Sequence, residues 1–127
     1  MPIPKFILRK LYKKGSLKNV DLDGDGNPDG FSFELENKLA NATILPDERP
    51  GIKVDGVPIE PENITIRYEG KEIKLSELNT EVLFAKGTTM EIVVKYDGGL
   101  PAGEHKLEFS SKSKEYGKIA FDFKVKI

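Results

Sequence analysis

The clearest pattern in this chain is the alternation of apolar and polar residues over its last 40 positions. In residues 118–127, every second residue from Ile119 onward is apolar, and most of the residues between are charged. Successive side chains of a β-strand point to opposite faces, so this alternation predicts a strand with one buried face. Residues 88–96 and 104–110 show the same period, and the C-terminal third is therefore predicted to be antiparallel sheet.

Earlier segments show shorter versions of this pattern. They predict strands at residues 5–12, 31–36, 42–45, 64–68 and 71–75, and a β-hairpin at residues 52–59. Asp55-Gly56 lies between two apolar runs, which favours a tight hairpin turn. Pro58 has no N–H to donate to a neighbouring strand, so its arm is predicted to be a sheet edge. Ser76 is predicted to cap a single helical turn.

No segment has the pattern of a helix of ordinary length. About eight short strands separated by turns predict an all-β fold, an antiparallel β-sandwich that is immunoglobulin-like in the loose sense, with a small closed barrel as the alternative. The 127 residues suit one domain, residues 1–127. The predicted core consists of Phe31, Phe33, Leu35, Ile92, Val94, Leu107, Phe109, Ile119, Phe121, Phe123 and Val125.

An Asp-rich loop at residues 21–30 is the strongest candidate for chemistry. Ca²⁺ binds six to eight oxygen ligands, and a tightly turning loop can direct alternate side chains to one centre. Gly26 would allow the sharp turn. The predicted Ca²⁺ ligands are the carboxylates of Asp21, Asp23, Asp25 and Asp29 and the backbone carbonyl of Asn27.

A solvated turn is the alternative for this loop. Asn27-Pro28-Asp29-Gly30 is a strong turn sequence without any ion. Mutual repulsion among the carboxylates favours the metal, because residues 21–36 contain no Lys or Arg. The loop resembles the D-x-D-x-D-G-x-x-D calcium loops of integrin-like repeat proteins. It is unlike an EF-hand, because position 12 is Ser32 instead of Glu.

Charge and composition limit the possible partners. The chain has 20 Lys and Arg, 21 Asp and Glu, and no Cys. This balance predicts no nucleic-acid or membrane partner, and the lack of Cys excludes disulfides and thiolate zinc sites. The high charged fraction is typical of thermophile proteins. No segment has the apolar length of a membrane span or a signal peptide, so we expect a cytoplasmic protein or a mature form without its leader.

The charges are also unevenly distributed along the chain. The first 18 residues contain six basic residues and no acid, and the next 18 contain six acids and no base. We interpret this as mutual neutralisation of neighbouring segments, with a basic binding arm as the alternative. The edge arm at 57–59 and the apolar residues Ile3, Phe6, Ile7 and Leu8 predict a homo-oligomer or a protein partner.

Two segments carry a second family resemblance. Residues 98–109, Gly-Gly-Leu-Pro-Ala-Gly-Glu-His-Lys-Leu-Glu-Phe, resemble the G-G-L-x-P-G-E-H segment of the small β subunits of bacterial C-glycoside deglycosidases. Residues 54–58, followed by 62–64, resemble their V-D-G-x-x-V-P…I segment. The resemblance implies a β-sandwich without an active site of its own, in complex with a catalytic α subunit.

Catalytic motifs are missing from the sequence. His105 is the only histidine, and no nucleophile elbow, P-loop or dinucleotide-binding motif is present. We therefore expect no enzyme activity. The predicted function is a calcium-binding module for assembly or protein interaction; an accessory subunit of a sugar-active enzyme or a carbohydrate-binding module are the alternatives.

Overall fold

Two antiparallel sheets form the molecule. A computed structural model describes residues 3–127, and every strand pairing within that range is antiparallel. The strands are, in chain order, β1 (Lys18–Val20), β2 (Gly30–Glu36), β3 (Ala42–Ile44), β4 (Gly51–Val54), β5 (Val57–Pro58), β6 (Ile64–Tyr68), β7 (Lys71–Lys74), β8 (Val82–Phe84), β9 (Thr89–Lys95), β10 (Glu104–Ser113) and β11 (Gly117–Lys126).

The first sheet has the strand order β1-β2-β9-β6-β7. In the second sheet, β10 is the central strand. One of its sides pairs with β11 along its whole length, and the other pairs with β4 and then, at Ser113, with β3. The strands β5 and β8 extend this second sheet beyond β4 and β3. The last strand, β11, therefore forms one edge of the second sheet.

The core lies between the two sheets. Phe33 of the first sheet and Phe123 of the second meet edge to face, with ring centroids 5.6 Å apart. All eleven predicted core residues are buried, at no more than 9% exposure. The prediction of an all-β sandwich is confirmed, because alternation of period two correctly identified which face of each strand is apolar.

The N-terminal segment differs from its prediction. Residues 5–12 were predicted to be a strand, but they form the helix α1 (Lys5–Leu8) and a 3-10 helix (Arg9–Leu11). Leu8 and Leu11, three positions apart, are the buried residues, whereas Phe6 is 67% exposed. Spacing of three places side chains on one face of a helix, so burial of these two leucines favours helix over strand.

The turn after β7 also differs from its prediction. A 3-10 helix spans Leu75–Glu77, but its N-cap is Lys74 and no side chain caps it. Leu75, the first residue of this helix, is 1% exposed. Ser76 consequently lies inside the first turn and cannot cap it. A third 3-10 helix spans Pro61–Asn63. Within residues 3–127, no helix combines the length and the apolar character needed to cross a bilayer.

Candidate functional site

The Asp-rich loop connects β1 to β2, the first hairpin of the first sheet. Its two ends are held together because the Asp29 N–H donates to the Val20 carbonyl at 3.0 Å. The Asp29 carbonyl accepts a bond from the Tyr96 N–H, also at 3.0 Å. The loop is thereby anchored at the edge of a rigid sheet, although residues 21–28 are exposed.

Backbone N–H groups fold the loop around its own carboxylates. The Asp21 carboxylate accepts bonds from the N–H groups of Gly24 and Gly26, at 2.8 and 2.7 Å. Both glycines have a positive φ, +80° and +89°, which an L residue rarely adopts. Asp29 Oδ1 accepts the Leu22 N–H at 2.5 Å from the opposite end of the loop.

The structure brings three of the four predicted carboxylates together. Asp21, Asp23 and Asp29 each place one oxygen within 4.8 Å of the others. Asp25 is not part of this cluster; its Oδ1 accepts the Asn27 N–H at 2.8 Å. The use of the Asn27 carbonyl as a ligand stays a prediction.

The clustered carboxylates influence one another's ionisation. Hydrogen bonds from the backbone, first of all from Gly26, lower the pKa of Asp21. At Asp23 the Asp25 N–H acts in the same direction, but desolvation and the neighbouring carboxylates of Asp21 and Asp25 outweigh it, so the pKa of Asp23 is raised.

This geometry is compatible with both interpretations of the loop. Three converging carboxylates are ligands of the kind that a hard cation prefers. The hydrogen bonds that Asp21, Asp25 and Asp29 accept from backbone N–H groups also close the loop without an ion, as Asp side chains commonly do in turns. Ca²⁺ binding at Asp21, Asp23 and Asp29 therefore stays a prediction.

A second polar cluster lies at the start of β10. His105 Nδ1 is 2.7 Å from Asp55 Oδ2, and His105 Nε2 is 2.7 Å from the Pro101 carbonyl oxygen. These bonds raise the pKa of His105, that with Asp55 more than that with Pro101. The His105 hydrogen bond and the Lys106 N–H lower the pKa of Asp55. The cluster ties the β4–β5 hairpin to β10.

A basic groove is the feature that sequence reasoning missed. It lies between residues 9–17 and the C-terminal half of β11, has a volume of about 1110 Å³, and its rim is formed mainly by Lys and Arg. The uneven charge of the first 18 residues was the available signal. The other side of the groove comes from Lys124 and Lys126, more than 100 positions away, so the sequence alone did not show that the two groups face each other.

The predicted contact surfaces are only partly exposed. Val57 on the edge strand β5 is 64% exposed, and Phe6 is 67% exposed. Leu8, by contrast, is 3% exposed and belongs to the core. Association through these surfaces stays a prediction.

Comparison with known protein families gives a match over nearly the whole chain. Residues 7–127 match the model of the hydroxymethylglutaryl-CoA reductase N-terminal domain. The chain belongs to this family. Comparison with curated proteins gives no match.

Membership of the reductase N-terminal domain family corrects both predicted resemblances. The segments at 98–109 and 54–64 do not indicate a C-glycoside deglycosidase β subunit. They form the β4–β5 hairpin, the 3-10 helix that precedes β6, and the entry to β10, which are structural elements of a sandwich. The Asp-rich loop is a local cluster of acidic residues and does not indicate an integrin-like repeat protein.

The predicted function was also wrong. A reductase N-terminal domain is neither a calcium-dependent assembly module nor a subunit or sugar-binding module of a carbohydrate-active enzyme. Only ten residues of one loop and two short turn-containing segments favoured the predicted function. The family match instead depends on residues distributed over 121 positions, from 7 to 127.

Proposed function

We propose that this chain is a non-catalytic domain of a hydroxymethylglutaryl-CoA reductase. The observation that carries the proposal is the extent of the family match, which covers all strands of the sandwich from β1 to β11. The matched unit is a reductase's N-terminal domain, and we infer that the reduction takes place in another part of such a protein.

The use of His105 supports this proposal. Thioester reduction needs a hydride donor and a group that supplies protons. His105 is the only histidine, but both of its ring nitrogens are engaged, with Asp55 and with Pro101. Its side chain is only 12% exposed, so the ring serves to hold a hairpin and is poorly placed to meet a substrate.

The cavity inside the sandwich supports the same conclusion. It lies between the sheets near Leu35, Ile44 and Phe109, and its lining is almost entirely apolar. Its polar lining residues are Asn37, Ser111, Ser113 and Tyr116, and none of the lining residues described is an acid, a base or a histidine. A cavity of this kind has no group with a suitable pKa to transfer a proton near neutral pH.

An assay of the purified 127-residue chain tests the proposal. The chain is incubated with hydroxymethylglutaryl-CoA and either NADPH or NADH, and oxidation of the nicotinamide is followed by absorbance. A complete reductase under the same conditions is the positive control. We expect no oxidation above the rate without protein.

Turnover by the chain would contradict the proposal, provided that it depends on the chain's own residues. His105→Asn and Asp55→Asn serve to check this. Activity that both variants abolish, while thermal melts show that they remain folded, would show that turnover depends on the His105–Asp55 pair and would contradict the proposal. Activity that both variants retain and that a further purification step removes would indicate a contaminant, and the proposal would stand.

A further inference from the structure

The basic groove has a strong excess of positive charge. Seven of its lining residues are Lys or Arg and two are acidic, whereas the whole chain carries a net charge of −1. All seven cations are exposed. Arg9 pairs with Asp122 at 3.0 Å and Lys38 pairs with Glu36 at 3.3 Å, so the two lining acids are already used.

Three lysines of this groove have no acidic partner. Within residues 3–127, no carboxylate lies within 4 Å of the ammonium groups of Lys10, Lys14 or Lys126. Neutralisation by neighbouring segments, as interpreted from the sequence, is therefore incomplete here. The groove is a surface that favours an anionic partner.

The edge strand β11 adds backbone hydrogen-bonding groups to this basic groove. Gly103 and Ile127 exchange two hydrogen bonds, of 3.0 and 3.1 Å, at the end of the β10–β11 ladder. Because backbone groups alternate along a strand, the odd-numbered residues of β11 bond to β10 and the even-numbered ones point away from it. Arg9 Nε confirms this alternation, since it donates to the outward carbonyl of Asp122 at 2.8 Å.

The same alternation exposes two residues further along β11. The N–H and C=O groups of Lys124 and Lys126 point away from β10 into the groove, and β11 pairs with no other strand of residues 3–127. The floor of the groove is apolar, because Tyr12 stacks on Phe123 with ring centroids 4.3 Å apart. A free strand edge, an apolar floor and a basic rim are thus present at one place.

We propose that this groove binds an acidic, extended peptide segment of a partner protein, which adds as a strand to the β11 edge at Lys124–Lys126. Such a segment uses both the N–H donors and the C=O acceptors of the edge, as in other cases of strand addition. Phosphate groups only accept hydrogen bonds and leave those carbonyls unpaired. The proposal is independent of whether the domain is catalytic.

The lysines of the groove also determine which kind of strand can pair with the β11 edge. Lysine on an edge strand discourages pairing with another basic strand, including the same edge of a second copy. It favours a strand whose alternate residues are Glu or Asp, because these carboxylates can reach Lys10, Lys14 and Lys126. The groove is therefore selective for acidic peptides and against its own edge.

Two synthetic peptides of equal charge test strand addition with the full 127-residue chain. The probe is Glu-Thr-Glu-Thr-Glu-Thr-Glu-Thr. In antiparallel addition, the glutamates that share a face with Lys124 and Lys126 lie opposite them and exchange hydrogen bonds with them. The control has N-methylglutamate in place of every glutamate, so it keeps all four carboxylates but loses these N–H donors. We expect the probe to shift the amide resonances of Lys124 and Lys126 and to slow their hydrogen exchange. The control should bind about tenfold more weakly, because strand hydrogen bonds are lost.

A matched pair of variants measures how much the outward N–H of residue 124 contributes to binding. Lys124→Pro removes the outward N–H without removing a bond to β10, and Lys124→Ala removes the same charge but keeps that N–H. We expect Lys124→Pro to bind the probe about tenfold more weakly than Lys124→Ala. Thermal melts establish that both variants fold. Lys126→Glu keeps the backbone intact and should also weaken binding of the probe. This variant tests the proposal even if Lys124→Pro does not fold.

Three results would overturn the proposal. One is equal binding of the two peptides, which would indicate charge attraction alone. Another is slowed exchange at Lys124 and Lys126 with inorganic tripolyphosphate in place of the peptide, which would indicate an anion site. The third is the absence of any shift at these amides with millimolar probe at low salt.

Discussion

His105 and Asp55, fifty residues apart, join the β4–β5 hairpin to the start of β10 through a 2.7 Å contact between Nδ1 and Oδ2. Asp55 Oδ1 also accepts the Lys106 N–H at 2.8 Å, so one carboxylate holds two consecutive residues of β10. Asp55 and Gly56 both have a positive φ, 50° and 86°, as a tight hairpin turn requires. Asp55 therefore both forms the turn of the β4–β5 hairpin and attaches this hairpin to β10.

This contact predicts a pH-dependent stability. The Pro101 carbonyl can only accept a bond, so His105 Nε2 carries a proton, and the Asp55 carboxylate favours a second proton on Nδ1. The pKa of His105 is raised above its ordinary value of 6.5. The His105–Asp55 contact therefore contributes its full stability below pH 6.5. This contribution is lost as the pH rises through the higher pKa that His105 has in the folded state.

The measurement is a nuclear magnetic resonance titration of the single His105 ring, together with melts from pH 5 to 9. We expect a midpoint above 6.5 and a melting temperature that falls as the ring deprotonates. His105→Asn should lower the free energy of unfolding by about 1.5 kcal/mol at pH 6, and by less at pH 9. A midpoint at or below 6.5 would contradict the charged contact.

Gly30, the first residue of β2, is predicted to tolerate no side chain. A Cβ at this position would collide with the Val94 carbonyl oxygen, which belongs to the backbone of β9 and cannot rotate away. Gly30→Ala should lower the free energy of unfolding by about 1–3 kcal/mol in chemical denaturation.

Gly51→Ala is the matched control for Gly30→Ala. A Cβ at Gly51, the first residue of β4, would lie 3.2 Å from Ser110 Oγ, a side-chain atom that can move. We expect a change of less than about 0.5 kcal/mol. Equal effects of the two substitutions would show that the loss of glycine itself, and not the close approach of β9, determines the cost.

The strands could be predicted from the sequence because period-two alternation is a local property. Phe121, Phe123 and Val125 share a face wherever the strand lies, and all three are buried. The helix at Lys5–Leu8 could not be predicted in this way, because its stability depends on docking Leu8 and Leu11 against distant strands. The Asp spacing predicted four carboxylates around one centre, whereas the structure brings three of them together, in a loop that turns at Gly24 and Gly26.

The basic groove shows a different limit of sequence reasoning. Lys14 and Lys126 line the same groove, although 112 residues separate them in the sequence. Their charges were visible in the sequence, but their proximity follows from the packing of residues 9–17 beside the edge of β11. Family membership likewise depends on the whole chain, and two short segments were misleading because sandwich turns look alike in unrelated proteins.

The Asp-rich loop predicts a Ca²⁺-dependent melting temperature. If Asp21, Asp23 and Asp29 share an ion, Ca²⁺ at 100 times its dissociation constant adds about 2.7 kcal/mol to the free energy of unfolding. Chelation should lower the melting temperature and Ca²⁺ should restore it. Mg²⁺ should restore it poorly, because it prefers a smaller octahedral site.

Two substitutions test whether the Ca²⁺ effect on the melting temperature depends on the three clustered carboxylates. Asp23→Ala removes a carboxylate that the structure places in the cluster, and should abolish the Ca²⁺ effect. Asp25→Ala removes one that lies outside it, and should leave most of the effect. Identical melts in chelator and in millimolar Ca²⁺, at low ionic strength, would leave the solvated turn as the correct interpretation.

Ser111 and Ser113 both point from β10 into the core, but only the Ser113 hydroxyl has a hydrogen-bond partner within residues 3–127. Ser111 Oγ is buried without a hydrogen-bond partner within residues 3–127, beside the apolar cavity of about 50 Å³. Ser113 Oγ accepts the Tyr116 N–H at 2.8 Å and donates to the Gly117 carbonyl at 3.3 Å. Burial of an unpaired hydroxyl is costly, whereas a paired one supports the β10–β11 turn.

Ser111→Ala should therefore raise the free energy of unfolding by about 1 kcal/mol, and Ser113→Ala should lower it by a similar amount. Ser111→Val should stabilise further, since its two methyl groups fill part of the cavity and bury apolar surface. Chemical denaturation of the three variants beside the parent chain measures each change. Both alanine substitutions remove a hydroxyl group from the same face of the same strand. Changes of opposite sign in the free energy of unfolding would therefore reflect the difference in hydrogen bonding between the two hydroxyls. Destabilisation by Ser111→Ala would show that water in the cavity satisfies this hydroxyl, and the gain expected from Ser111→Val would then be lost as well.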